Sequence, residues 1–164
     1  MIRRILFTGV LAALAIPVCG AQSPTWKMKR MNNVRPGTVA PIRRPTAVAG
    51  PGMATASGVR YWDIQTGEGN PATKGHVVKV LYTAWVEKGM KEFASSTSDG
   101  RVPVFTLGVG QVIRGWEDGV EGMKVGGKRQ LRIPPDMAYG SAGAPPLVPP
   151  NATLIFDVVL LELQ

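Results

Sequence analysis

Val109-Gly110-Gln111-Val112-Ile113-Arg114-Gly115-Trp116-Glu117-Asp118-Gly119-Val120 is the one stretch of this chain that reads as a helix. Ile113, Trp116 and Val120 recur at i, i+3 and i+7, which puts them on one face. Glu117, Asp118 and Glu121 take the remaining face, and Gly122 follows closely as a stop. Ile113 stands at the helix start, where backbone N–H groups have no intrahelical partner and are free to meet a carbonyl.

On both sides of this helix the period changes from 3.6 to 2. Residues 59–64 form a first short strand, and Gly67, Gly69, Asn70 and Pro71 then turn the chain. Residues 77–87 are the clearest strand. Val78, Val80, Tyr82, Ala84 and Val86 make one apolar face, while Lys79, Leu81, Thr83 and Trp85 make a mixed one. Residues 91–96 and 103–107 suggest two shorter strands around a loop. Beyond the helix, residues 128–133 alternate with Leu131 and Ile133 inward, and Pro134 and Pro135 end the run. Residues 152–163 are apolar on much of both faces, as suits a central strand covered on one side and partly on the other. Strands dominate and one short helix interrupts them. The class is α+β, an antiparallel sheet packed on a single helix.

The front of the chain has a different character. Arg3 and Arg4, the uncharged apolar run Ile5 to Val18 and the small residues Cys19-Gly20-Ala21 make residues 1–21 a signal peptide with cleavage before Gln22. The apolar run falls short of the roughly 20 residues that a membrane span needs. Cleavage removes Cys19, the only cysteine, and leaves a mature chain with no disulfide framework. An exported, periplasmic or secreted protein is expected. The alternatives are a chain tethered by an uncleaved leader or by a lipidated Cys19, although Pro17 and Val18 stand where lipidation wants small residues. Residues 22–57 hold Pro24, Pro36, Pro41, Pro45 and Pro51 with no apolar period. They are expected to be a disordered basic linker, because they cannot bury enough surface to offset their ordering entropy. The folded domain is then 58–164.

The net charge of +8 belongs to this front segment. Nine of the 19 basic residues lie before Asp63, the first acid, which leaves ten basic and 11 acidic residues from there on. A nucleic-acid-binding domain would carry its charge on a folded face, so nucleic acid is not an expected partner. The basic linker is a candidate to touch anionic membrane or wall. His76, the only histidine, sits at a turn, so a serine-hydrolase triad or a His-rich metal site has little to work with. Gly108-Val109-Gly110 invites a dinucleotide reading, but Ile113 stands where the third glycine is due. Neither a metal nor an organic cofactor is expected.

The helix stretch is joined by Ile133-Pro134-Pro135-Asp136-Met137-Ala138-Tyr139-Gly140 and by Val148-Pro149-Pro150-Asn151-Ala152-Thr153-Leu154-Ile155-Phe156-Asp157-Val158. In these motifs, their order and their spacing, residues 59–164 resemble the FKBP-type peptidyl-prolyl isomerases, the macrolide-binding immunophilins. The resemblance implies a half-barrel-like antiparallel sheet of about five strands around one short helix, with an apolar pocket for a proline ring between them. It implies a pocket lined by Tyr82, Phe93, Val112, Ile113, Trp116, Tyr139 and Phe156, with Leu147 and Val148 as further substrate contacts. Trp116 would be the floor, the Ile113 N–H the donor to a substrate carbonyl, and the Tyr139 hydroxyl a second polar contact. Proline-containing polypeptides and macrolide-type ligands are the implied partners of a monomer. Phe93-Ala94 departs from the family's Phe-Asp pair, and Pro103 and Ala144 are further departures. Loss of that carboxylate motivates the alternative of a non-catalytic proline-ligand binding module or chaperone.

Overall fold

Side-chain alternation along two ten-residue strands dictates the centre of the molecule. The computed structural model describes residues 44–164. The expected signal peptide, Cys19 and the linker up to residue 43 lie outside the described residues. In chain order the elements are β1 (Met53–Ala54), β2 (Arg60–Gln65), β3 (Val77–Val86), β4 (Lys91–Ser95), the single turn α1 (Ser96–Asp99), β5 (Val104–Thr106), α2 (Arg114–Val120), β6 (Lys128–Ile133), a 3-10 turn at Pro135–Met137 and β7 (Leu154–Leu163). β3 and β7 pair antiparallel from Val78 opposite Leu163 to Val86 opposite Leu154. The sheet runs β1-β2-β6-β7-β3-β4, and β5 pairs with β3 as well. It has seven strands where about five were expected. β1 is only two residues long, and β4 and β5 both pair with β3.

One face of this sheet builds the core. Val78, Val80, Tyr82, Ala84 and Val86 of β3 are buried against Leu131 and Ile133 of β6 and Leu154, Phe156, Val158 and Leu160 of β7. α2 packs here, and two glycines let it come close. A Cβ on Gly115 would lie 2.3 Å from Cγ2 of Ile133, and one on Gly119 would lie 2.6 Å from Cδ1 of Leu131. Glycine inside a helix costs about 1 kcal/mol relative to alanine. Here that cost is offset by close contact with β6, which seats Trp116 deep in the core. The other end of the helix is held by Arg129, which is 6% exposed. Its guanidinium donates to the carbonyls of Gly119 and Glu121 at 2.9 and 3.1 Å and to both carboxylate oxygens of Asp63. It also lies 4.2 Å from the centre of the Tyr61 ring. A cation at a helix C-terminus meets the orphan carbonyls and the negative end of the dipole.

The other face is covered by chain that the sequence assigned to the linker. Residues 46–52 lie on this face. Thr46 donates its N–H to Asp157 at 3.0 Å and its hydroxyl to the same carboxylate. Its carbonyl accepts from Gln130 at 2.7 Å, and its hydroxyl accepts from Lys128 at 2.9 Å. Further on, the indole N–H of Trp62 donates to the Gly50 carbonyl, and Gly52 lies so close to that ring that a Cβ would sit 2.5 Å from it. Met53 then pairs with Tyr61 and Ala54 with Arg60. The disorder expected of residues 22–57 for want of an apolar period does not extend over residues 44–57. The strap is instead held by hydrogen bonds that need no apolar period.

Candidate functional site

Tyr82 of β3, Trp116 of α2 and Phe156 of β7 meet where the helix crosses the sheet. The Tyr82 and Trp116 rings are edge-to-face with centres 5.0 Å apart, and Trp116 and Phe156 are edge-to-face at 5.4 Å. All three are buried, with Trp116 only 6% exposed. Four half-buried side chains, Phe93, Val112, Ile113 and Tyr139, pack against the same core. Phe93 is edge-to-face with Phe156 at 6.1 Å. The register of β4 changes here. Ala94 pairs with Ala84 and Glu92 with Trp85, so Phe93 is the extra residue of a bulge and turns onto the core side with Ala94. A buried aromatic floor flanked by half-exposed apolar side chains is the candidate apolar cup.

The loop before α2 is fixed from two sides. The Gln111 side-chain carbonyl accepts from the Thr106 N–H at 2.8 Å, and the Glu117 carboxylate accepts from the Gly110 N–H at 2.7 Å. Val112 and Ile113 follow on this braced segment. The Ile113 carbonyl accepts the Trp116 N–H at 2.8 Å and so opens the helix. Among the described residues no hydrogen bond uses the Ile113 N–H. That donor is therefore available to a ligand.

Two phenols share the site. Burial pushes the Tyr82 hydroxyl up to about 12, with the Asp99 carboxylate and Tyr139 adding to the rise. Burial raises Tyr139 as well. Desolvation disfavours the phenolate, so both remain neutral O–H groups across the physiological range. β3 is tied to α1 at this point, because the Ser96 hydroxyl accepts from the Tyr82 N–H at 2.8 Å and donates to its carbonyl at 3.1 Å.

Of the expected site residues, Tyr82, Phe93, Trp116 and Phe156 meet ring to ring, Tyr139 lies near Tyr82, and Val112 and Ile113 pack on the same core. Leu147 and Val148 behave differently. Leu147 is 50% exposed, whereas Val148 is 1% exposed and belongs to the core, so it offers a ligand almost no surface. Phe105, whose ring lies 5.7 Å from that of Trp116, was missed, although its place between Val104 and Thr106 on an alternating strand marks it as inward. Asp99 was missed too, and a lone carboxylate in a one-turn helix gives no sequence signal. His76 holds a turn, with its Nδ1 accepting from the Thr73 N–H at 3.1 Å.

Residues 68–161 match the family model described as FKBP-type peptidyl-prolyl cis-trans isomerase. An FK506-binding protein of Neisseria meningitidis is 53% identical over 102 residues, which cover 62% of this chain and 92% of the relative. A peptidyl-prolyl cis-trans isomerase of Saccharomyces cerevisiae is 48% identical over 93 residues, covering 57% of this chain and 69% of that one. Among solved structures, FkpA from Escherichia coli superposes with a TM-score of 0.62 at 39% identity. That match covers 68% of this chain and 51% of FkpA, so the chain spans about half of that structure.

Proposed function

The chain belongs to the FKBP-type peptidyl-prolyl cis-trans isomerase family, and on that premise we propose that it isomerises X–Pro bonds of exported polypeptides in the cup floored by Trp116. The observation that carries this reading is the pairing of a buried aromatic floor with an unengaged Ile113 N–H at its edge.

An X–Pro bond isomerises unaided over tens to hundreds of seconds. The obstacle is amide resonance, a barrier of roughly 18–20 kcal/mol. As the C–N bond twists, resonance is lost and the carbonyl becomes less polarised. Water stabilises the planar, more dipolar ground state. The cup of Tyr82, Phe93, Trp116 and Phe156 withholds that solvation around the proline ring. The Ile113 N–H holds the substrate carbonyl, and the neutral Tyr139 hydroxyl supplies a second donor. Each interaction that is stronger in the twisted form lowers the barrier, and about 1.4 kcal/mol gained this way is a tenfold rate. The reaction makes and breaks no covalent bond, so no nucleophile or general base has to be found in the site.

Exchange NMR on an X–Pro peptide tests this. Catalysed exchange that vanishes in Trp116→Ala is the expected result. Exchange at the uncatalysed rate, with folded protein present, would rule the reading out. A macrolide of the FK506 type should occupy the same cup and inhibit competitively. Export is supported by the leader, residues 1–21, and N-terminal sequencing of the mature protein starting at Gln22 would establish it.

A further inference from the structure

A concavity of about 360 Å³ lies between the β3–β4 turn and the loop that leads into β7. This is the size of sites that receive small ligands and peptide side chains, roughly 300–1,000 Å³. Val86, Lys88 and Lys91 form one wall, and Pro145, Leu147 and Pro149 lie on the other. The proline-rich wall is rigid. Ala144 and Val148 exchange backbone hydrogen bonds at 2.8 and 2.9 Å, and the Asn151 N–H donates to the Gly140 carbonyl.

Polar recognition in this groove falls on the lysines. Residues 145–150 contain four prolines, which have no N–H to offer. The two remaining donors, the N–H groups of Leu147 and Val148, both point to the Ala144 carbonyl at 3.1 and 2.9 Å. The lysines are not neutralised by their neighbours. Neither Lys88 nor Lys91 forms an ion pair among the described residues. Glu87 is engaged by Arg132, whose Nε and guanidinium nitrogen lie 2.5 and 2.9 Å from its carboxylate. Glu92 pairs with Trp85 whereas Lys91 pairs with Val86, so Glu92 faces the other side of the sheet. Two exposed ammonium groups over an apolar floor fit an extended segment that carries a carboxylate. The chain's own front segment cannot supply it, because no acid precedes Asp63. The wall loop begins at Tyr139 of the cup and carries Leu147, so a polypeptide with its proline in the cup has this groove within reach.

We propose that the groove receives the part of the substrate polypeptide flanking its proline, and that Lys88 and Lys91 select an acidic side chain there. The inference rests on the isomerase reading. It predicts a preference that the cup itself, being apolar, has no means to impose.

A peptide series with glutamate, glutamine or lysine at each of the first few positions on either side of one X–Pro bond tests it. At low salt, glutamate at one of these positions should raise kcat/KM about three- to tenfold over glutamine, and lysine should lower it. High salt should erase the difference, because exposed charges are screened. The double variant Lys88→Glu/Lys91→Glu should invert the preference while turning over the glutamine peptide as the parent does. Equal rates for all three peptides in the parent overturn the proposal, as does a preference that survives the double variant. A glutamine peptide that is not turned over at all overturns the isomerase reading instead. In that event the groove is judged by binding: shifts of the Leu147 and Lys91 amide signals on titration with the glutamate peptide, but not the lysine peptide, support it, and their absence sinks it. A dimer that the double variant dissolves, with no peptide preference, would make a second copy the occupant and reject this one.

Discussion

Two neighbouring rows of residues cross the sheet one position apart, and they have opposite chemistry. Tyr61, Leu131, Phe156, Ala84 and Ala94 stand opposite one another on β2, β6, β7, β3 and β4. Trp62, Gln130, Asp157, Thr83 and Ser95 stand opposite one another on the same strands, on the other face. Both rows are largely buried. The first is buried by α2 and the aromatic floor, through contacts that have area but little direction. The second is buried by directional bonds. Gln130 donates to Asp157 at 2.8 Å, the hydroxyls of Thr83 and Ser95 lie 3.1 Å apart, and Thr46 crosses above. Apolar packing leaves freedom of shape, and the cup is formed on that face. The polar row leaves none, since each buried polar group needs its partner. It fixes a strap in place of a ligand.

Removing the centre of the apolar face should have the largest effect. Trp116→Ala deletes the ring that meets Tyr82, Phe105 and Phe156. A loss of about 3–5 kcal/mol in denaturant unfolding is expected, and turnover of X–Pro peptides by the remaining folded protein should vanish. Retained activity would mean that the floor of the cup is elsewhere. Asp157→Ala is the matching cut in the polar row. It strands the Thr46 N–H, leaves the Gln130 amide and Lys128 with only their Thr46 acceptors, and removes the carboxylate that lies 3.8 Å from the Lys128 ammonium. A cost of about 2–4 kcal/mol is expected, with turnover by the folded protein close to that of the parent. If activity fell as far as in Trp116→Ala, the two faces would not be separable in function.

Thr46→Val probes the strap alone. It keeps the backbone N–H to Asp157 and removes the hydroxyl that joins Asp157 to Lys128. A loss of about 1 kcal/mol is expected, read as a melting temperature lower by a few degrees. An unchanged melting temperature would show that the strap adds no stability through this contact. This region was also the least legible in the sequence. The strands and α2 announce themselves by period, because one face of each meets apolar core. The cup residues were reached because three separated motifs resemble a known family. Thr46 and Asp157 are 111 positions apart, and a hydrogen bond between them leaves no periodic trace. Gly115 and Gly119 likewise read as poor helix residues until Leu131 and Ile133 are seen against them.

The smallest effect at neutral pH distinguishes the faces by titration. Tyr82 stands in the apolar floor, and its hydroxyl is held up at about 12 by burial, then by Asp99 and Tyr139. An unfolded tyrosine titrates near 10. Between these values the native state holds a proton that the unfolded chain has released, so stability falls as pH rises through that window and is whole below it. Tyr82→Phe removes the proton in question. It should therefore change stability little at pH 7 and flatten the decline in melting temperature between pH 10 and 12. Tyr139, raised in the same direction, leaves part of the slope in place. The polar row has no phenol, so Thr46→Val should leave the Tyr82-dependent part of this decline in place. A decline just as steep in Tyr82→Phe as in the parent would show that its hydroxyl meets water freely, and the apolar face would lose its claim to exclude solvent from a bound proline.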